Sequence, residues 1–298
     1  MRPKVWDEEA LGAYWALMTR GCVGKQPRAC RVLGLRASTG NGVPRDAVLA
    51  AGFLQTACEG RDGEGCTQWG VALQHGNGVP QDEKAAARAY GIGCDEGDPQ
   101  GCFHLGSAYA RGTGVAKDVP QAVSLFTRAC RAGEPWSCGR LGRDPALEPD
   151  RARRLDTLAA LCDEKVLAAC ESLGDTLIWV DPAEGPRAIA VLERACAARH
   201  VGACLSGYWA ATALARKKKA RGAVPLAQSF LERGCDVEKG HATCSVLTEQ
   251  LASGEFVAKD VKRASELAMP LCEESSAACA VAGAAWERGV GVPRDPAK

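Results

Sequence analysis

Between Asp98 and Cys130 the apolar positions fall into two helical stripes separated by a glycine turn. Cys102, Leu105, Gly106 and Tyr109 recur at three- and four-residue spacing, which predicts one helix with a single buried face. Asp98 suits its N-cap and Pro99 its first helical position. Gly112-Thr113-Gly114 ends it, because glycine enters the left-handed conformation without a steric penalty. Val115 is placed to plug the core beneath that turn. Asp118 opens a second helix whose Ala122, Leu125, Phe126 and Ala129 form its apolar stripe, with Gly133 in the linker that follows. The predicted unit is a helical hairpin, and the pattern returns along the chain.

The period is marked by cysteine. Pairs stand at 22/30, 58/66, 94/102, 130/138, 162/170, 196/204, 235/244 and 272/279, eight residues apart except for nine and seven in the last two. Successive pairs begin 36, 36, 36, 32, 34, 39 and 37 residues apart. A period of this size predicts a solenoid of stacked units, about eight of them over residues 1–298. Glycine turns ending in Val and Pro recur as Gly40–Pro44, Gly76–Pro80 and Gly289–Pro293, each with an Asp two residues on. A Leu-Gly pair recurs after the second cysteine, at 33–34, 105–106, 141–142 and 173–174. Glycine inside a helix costs roughly 0.5–1 kcal/mol against alanine, so its return there predicts a close helix–helix approach. The stretch 10–18 is expected to be a lone second helix.

The Leu-Gly pair, the "GxGVPxD" turn and the alanine-rich second helix resemble Sel-one-like repeats, relatives of tetratricopeptide repeats. The added cysteine pair resembles the cysteine-rich branch of that family, typified by the Helicobacter cysteine-rich proteins. The likeness is strong from Cys22 to Cys138 and from Cys235 to Lys298. Across residues 139–234 the repeats diverge: the turn after Cys138 is short, "IWVDPAEGP" replaces the glycines after Cys170, and "ARKKKARG" lengthens the turn after Cys204. The resemblance implies an all-α tetratricopeptide-like superhelix. It also implies a link to penicillin binding or weak β-lactamase activity, for which the chain offers no serine–lysine motif and no evident acid–base pair.

The short linker between hairpins forces a reversal that brings each cysteine near its local partner. Disulfides need Cα atoms about 4.4–6.8 Å apart, which antiparallel helices can provide. Cys22–Cys30, Cys58–Cys66, Cys94–Cys102, Cys130–Cys138, Cys162–Cys170, Cys196–Cys204, Cys235–Cys244 and Cys272–Cys279 are therefore read as structural bridges, one per repeat. Free core thiols and metal or redox chemistry are the alternatives. Zinc sites commonly space their ligands more closely, redox pairs are usually Cys-x-x-Cys, and neither pattern occurs. Eight bridges imply a periplasm or the cell exterior.

Charge is balanced, at 37 basic and 36 acidic residues, and aromatics make up 5%. Both features argue against a nucleic-acid partner. No apolar run approaches a membrane span, and the acidic cluster at 7–9 interrupts any signal-peptide pattern at the N-terminus. Hydrolase, zincin and Walker motifs are absent. The four histidines, His75, His104, His200 and His241, are scattered. No enzyme, cofactor or metal is expected.

Positions two before and one, five and eight after the second cysteine of each pair make another stripe, which in tetratricopeptide-like stacks lines the concave groove. It holds Arg28, Arg31, Leu35 and Ser38, then Glu64, Thr67, Val71 and Gln74, then Gln100, Phe103, Ser107 and Ala110, then Trp136, Gly139 and Arg143. Such a mixture suits a protein or peptide ligand; an ordinary helix surface is the alternative, and Trp136 is open to a packing role. The run Arg216 to Arg221 reads as a solvated loop or as a contact for acidic protein or lipid headgroups. The chain begins on a second helix and stops before one, which predicts a piece of a longer array or end-to-end self-association.

Overall fold

The computed structural model describes residues 16, 18–24, 26–180, 182–218, 223–237, 242–257, 259–272 and 275–288. All regular structure among them is helical. After a helical stretch at 18–23 come α1 (Pro27–Thr39), α2 (Ala47–Glu59), α3 (Gly63–His75), α4 (Glu83–Asp95), α5 (Pro99–Arg111), α6 (Val119–Arg131) and α7 (Pro135–Arg143). Then follow α8 (Arg151–Asp163), α9 (Leu167–Val180), a 3-10 turn at Pro182–Glu184, α10 (Gly185–Ala197), α11 (Val201–Lys218), α12 (Ala223–Val237), α13 (Ala242–Ser253), α14 (Val261–Leu271) and α15 (Ser276–Arg288). The chain divides into two compact units, Met1–Asp150 and Arg151–Lys298. Each is a row of antiparallel hairpins. The expected helix at 10–18 and the glycine turn at 289–293 lie wholly or mostly outside the described residues.

Local chemistry sets the hairpin. In α1 to α6 every helix runs for 13 residues. Asp46, Asp82 and Asp118 cap α2, α4 and α6, each accepting at 2.9 Å from the backbone N–H of Leu49, Ala85 and Gln121. Such caps contribute about 1 kcal/mol apiece. The helix before ends on a left-handed glycine, Gly40, Gly76 or Gly112. The second glycine of the turn has a separate task. Gly114 has φ 71°, and a Cβ there would overlap the backbone carbonyl of Glu83 at the start of α4. Gly78 stands in the same relation to Ala47 at the start of α2. The turn of one repeat thus packs, backbone on backbone, against the second helix of the repeat before.

The linker between hairpins is equally regular. Three residues after the first cysteine of a pair the chain turns left-handed: Arg61 (φ 61°), Gly97 (90°), Gly133 (89°), Lys165 (67°) and Arg199 (67°). The same two hydrogen bonds close each linker, as in Gly97 N–H to Cys94 C=O at 3.1 Å and Asp98 N–H to Gly93 C=O at 2.9 Å. In the second unit Lys165 to Cys162 (2.9 Å) and Val166 to Leu161 (3.0 Å) repeat them. This reversal sets the two cysteines side by side, and all eight pairs are bridged, with Cα–Cα distances of 4.3–4.9 Å. Closing a loop of this size stabilises by about 2–3 kcal/mol in the chain-entropy account.

The recurring helix-interior glycine marks close approach as expected. A Cβ at Gly106 would meet Phe126 at 3.2 Å, and one at Gly70 would meet the Tyr90 ring at 2.6 Å. Of the predicted first-helix face, Cys102 and Gly106 are buried, while Leu105 and Tyr109 are half-buried between neighbouring hairpins. In the second unit one continuous core joins Leu192, Tyr208, Phe230, Leu231, Leu247 and Leu251.

Candidate functional site: a tryptophan between two clefts

The start of α7 carries the most conspicuous surface feature. Pro135 begins the helix, and Glu134 caps it by accepting from the N–H groups of Trp136 (3.1 Å) and Ser137 (2.5 Å). Glu134 is itself buried, so it holds this turn rigidly, while Trp136 stands 74% exposed. Clefts open on both sides of its ring. One, of about 500 Å³, is lined by Phe103 from α5, by Pro135, Trp136, Gly139, Arg140 and Arg143 from α7, and by Asp144 and Pro145 beyond it. The other, of about 410 Å³, is lined by Glu64, Asp98, Pro99, Gln100, Ala132, Gly133, Glu134, Pro135 and Trp136.

These clefts gather much of the sequence-predicted stripe. Glu64, Gln100 and Trp136, which occupy equivalent positions in three successive repeats, border one cleft. Phe103, Gly139, Arg143 and Trp136 border the other. Arg28 is exposed and Leu35 half-buried. Arg31 is committed to ion pairs with Asp62 (2.8 Å) and Glu64 (2.7 Å) of the next repeat. Gln74 is half-buried and accepts a 2.5 Å hydrogen bond from the Tyr90 hydroxyl, whose pKa burial raises. Two members do not belong to a surface. Thr67 is fully buried, donating to the Gly63 carbonyl at 3.2 Å and filling the space beside Gly93 and Gly101. Ser107 is buried as well. Close stacking of α3 on the next hairpin, where Gly93 and Gly101 leave room, draws Thr67 inward.

Charge differs between the clefts. On the α7 side Arg140 pairs with Asp144 at 2.9 Å and lies 5.7 Å from the Phe126 ring centre. Arg143 is exposed and has no ion pair among the described residues; its guanidinium folds back over Gly139, 3.2 Å from where a Cβ would stand. On the other side Glu64, Asp98 and Glu134 face the cleft and no cation lines it.

The sequence reading missed Trp209. It lies on α11 five residues after Cys204, a position on the same stripe, and is 54% exposed. Applying the stripe to the later repeats would have found it. His104 stacks on Tyr90 at 4.8 Å, and burial lowers its pKa. His200 bonds Glu171 at 2.8 Å, and His75 is exposed in the last turn of α3. His241 lies outside the described residues. So does the second half of the basic run, residues 219–221; Arg216 sits 4.8 Å from the Phe256 ring centre and 3.5 Å from Glu255. No group of three metal-ligating side chains occurs among the described residues, and no described helix is long and apolar enough to cross a membrane.

The Sel1 repeat model matches residues 27–62, 63–98, 99–134 and 275–298. These stretches are Sel1 repeats. The matches cover less than half of the chain, and the first three end at the residue that caps the next helix, Asp62, Asp98 and Glu134. Yeast Tom70 resembles the chain in fold, with a TM-score of 0.54 at 12% identity over 96% of this chain. A protective antigen of uropathogenic Escherichia coli strains, displaying an SLR fold, aligns over 98% of this chain at 23% identity with a TM-score of 0.49. The chain spans 62% of the length of that antigen and 61% of Tom70. Helicobacter pylori cysteine rich protein B is 28% identical, with a TM-score of 0.38, over 46% of this chain and 98% of its own. No curated protein matches. The chain is a disulfide-bridged row of helical hairpins on a tetratricopeptide-like fold with Sel1 repeats in the four matched stretches, and Sel1-repeat scaffolds are generally non-enzymatic and typically serve protein interaction.

Proposed function

We propose that the protein is an exported binding scaffold, working in a periplasm or outside the cell, that holds a peptide or protein segment across Trp136. The observation that carries this is a tryptophan three-quarters exposed, on a rigid cap, between two clefts built from equivalent positions of successive repeats. An exposed indole costs hydration that a ligand recovers, and aromatic anchors dominate binding energy at interfaces. Trp136 is not needed for packing, since the shortened fourth repeat buries Leu141 and Leu147 in its place. Eight bridges fit an oxidising compartment.

The test is retention of envelope proteins on the immobilised, oxidised chain and on its Trp136→Ala variant. The scaffold reading expects a small set retained by the first and lost by the second. Identical sets on both would remove Trp136 as the anchor. Nitrocefin turnover by the oxidised protein would contradict a purely non-enzymatic role.

A further inference from the structure

Resting on that reading, we infer that the site selects a segment whose charge changes sign across a central apolar residue: acidic on the Arg143 side, apolar on Trp136 and Phe103, basic on the Glu64 side. The charges left over after internal pairing decide this. In the first cleft Arg140 and Asp144 cancel, and Arg143 remains. In the second, Arg31 is shared between Asp62 and Glu64 and offsets Glu64 only in part. Asp98 and Glu134 cap the N-termini of α5 and α7, whose helix dipoles return about half a charge each. A net positive charge is thus presented on one side of the indole and a net negative charge on the other.

Gly139 supports the assignment. It stands in the middle of α7, where glycine weakens a helix. No neighbouring backbone crowds it; what a Cβ would meet is the Arg143 guanidinium. Its absent side chain lets the guanidinium fold back along α7 at the edge of the cleft while it stays exposed. Arginine held in this way offers a fork of donors to a carboxylate beside an aromatic wall. A uniformly acidic segment would gain at Arg143 and lose at the three carboxylates, and a uniformly basic one the reverse. Only an acidic–apolar–basic order gains at both, so the partner is a peptide segment of that composition.

A phage-displayed nonapeptide library, selected on the oxidised protein in low salt, tests this. Enriched sequences are expected to carry Asp or Glu on one side of an aromatic or large aliphatic residue and Lys or Arg on the other. Arg143→Glu is expected to weaken the best such peptide about 10-fold and to shift enrichment toward sequences basic on both sides. Gly139→Leu, which fills the cleft, should weaken it by a similar factor with the thermal unfolding midpoint retained. Enrichment that depends on Trp136 but shows no segregation of charge, or survives Arg143→Glu unchanged, overturns the inference and leaves the scaffold reading standing. No Trp136-dependent enrichment overturns both.

Discussion

The first three described hairpins and the central ones differ in the turn inside each hairpin and agree in the linker between hairpins. In the first three hairpins the turn holds two left-handed glycines, and the second of them is jammed against the preceding repeat at Gly78 and Gly114. After Cys138 the helix stops at nine residues, and Asp144 folds a compact turn by accepting from Ala146 N–H at 2.9 Å, with Leu147 buried beneath it. After Cys204 α11 runs on to 18 residues. After Cys244 Gly254 keeps its place, but Phe256 stands where Gly114 stands in the third repeat, with Arg216 over its ring. The linker, by contrast, keeps one left-handed residue, two hydrogen bonds and one disulfide in both units. The reversal bridged by sulfur therefore defines the repeat, and the inner turn is free to vary while something fills the space it leaves.

Substitutions can break that contrast. Gly114→Ala should have the largest effect, about 3–4 kcal/mol, because it combines a left-handed backbone with overlap on the Glu83 carbonyl. Phe256→Gly at the matching position should also destabilise, by about 2 kcal/mol, since there the space is filled by a ring. Chemical denaturation measures both, and stabilisation by Phe256→Gly would show the two turns to be equivalent.

Replacing Cys94 and Cys102 together by Ser should cost about 2–3 kcal/mol. The same change at Cys162 and Cys170 should cost as much, because the two linkers share their hydrogen bonds. A difference of more than about 1 kcal/mol would mean that the divergent repeats are bridged on other terms.

Smaller effects sharpen the linker. Gly97 has open space where a Cβ would go, so Gly97→Ala isolates the backbone cost of a positive φ, about 1 kcal/mol. Lys165→Gly at the equivalent place should gain a similar amount. The smallest effect is on pH dependence. Burial beneath Tyr90 lowers the His104 pKa, against the pull of Asp98 and Glu134. The unfolded chain then takes up the proton first, so stability falls as pH drops below about 6.5 and levels off below the folded-state value. Unfolding midpoints from pH 7 to 5 should decline more steeply for the native chain than for His104→Phe.

Most of this architecture was legible because it repeats. Eight cysteine pairs fixed the period, and Asp98, Gly112 and Asp118 marked helix ends through chemistry that acts within a few residues. The Leu-Gly pair pointed to close approach because glycine inside a helix needs a reason. What escaped depends on neighbours distant in sequence. Thr67 and Phe103 hold equivalent positions, yet one is buried beneath the next hairpin and the other walls a cleft. The charge division around Trp136 arises from Arg31, Arg140 and Asp144 being spent on ion pairs, and pairing cannot be counted before the hairpins are stacked.

The covalent frame is tested most directly by intact mass without reductant, followed by mapping of linked peptides. Eight local bridges predict a mass about 16 Da below the all-thiol chain. They also predict that trypsin, cutting at Arg61 and Arg131, leaves Cys58 joined to Cys66 and Cys130 joined to Cys138. Thiols that alkylate freely without reduction, a bound metal carried in the native mass, or links between distant repeats would contradict it.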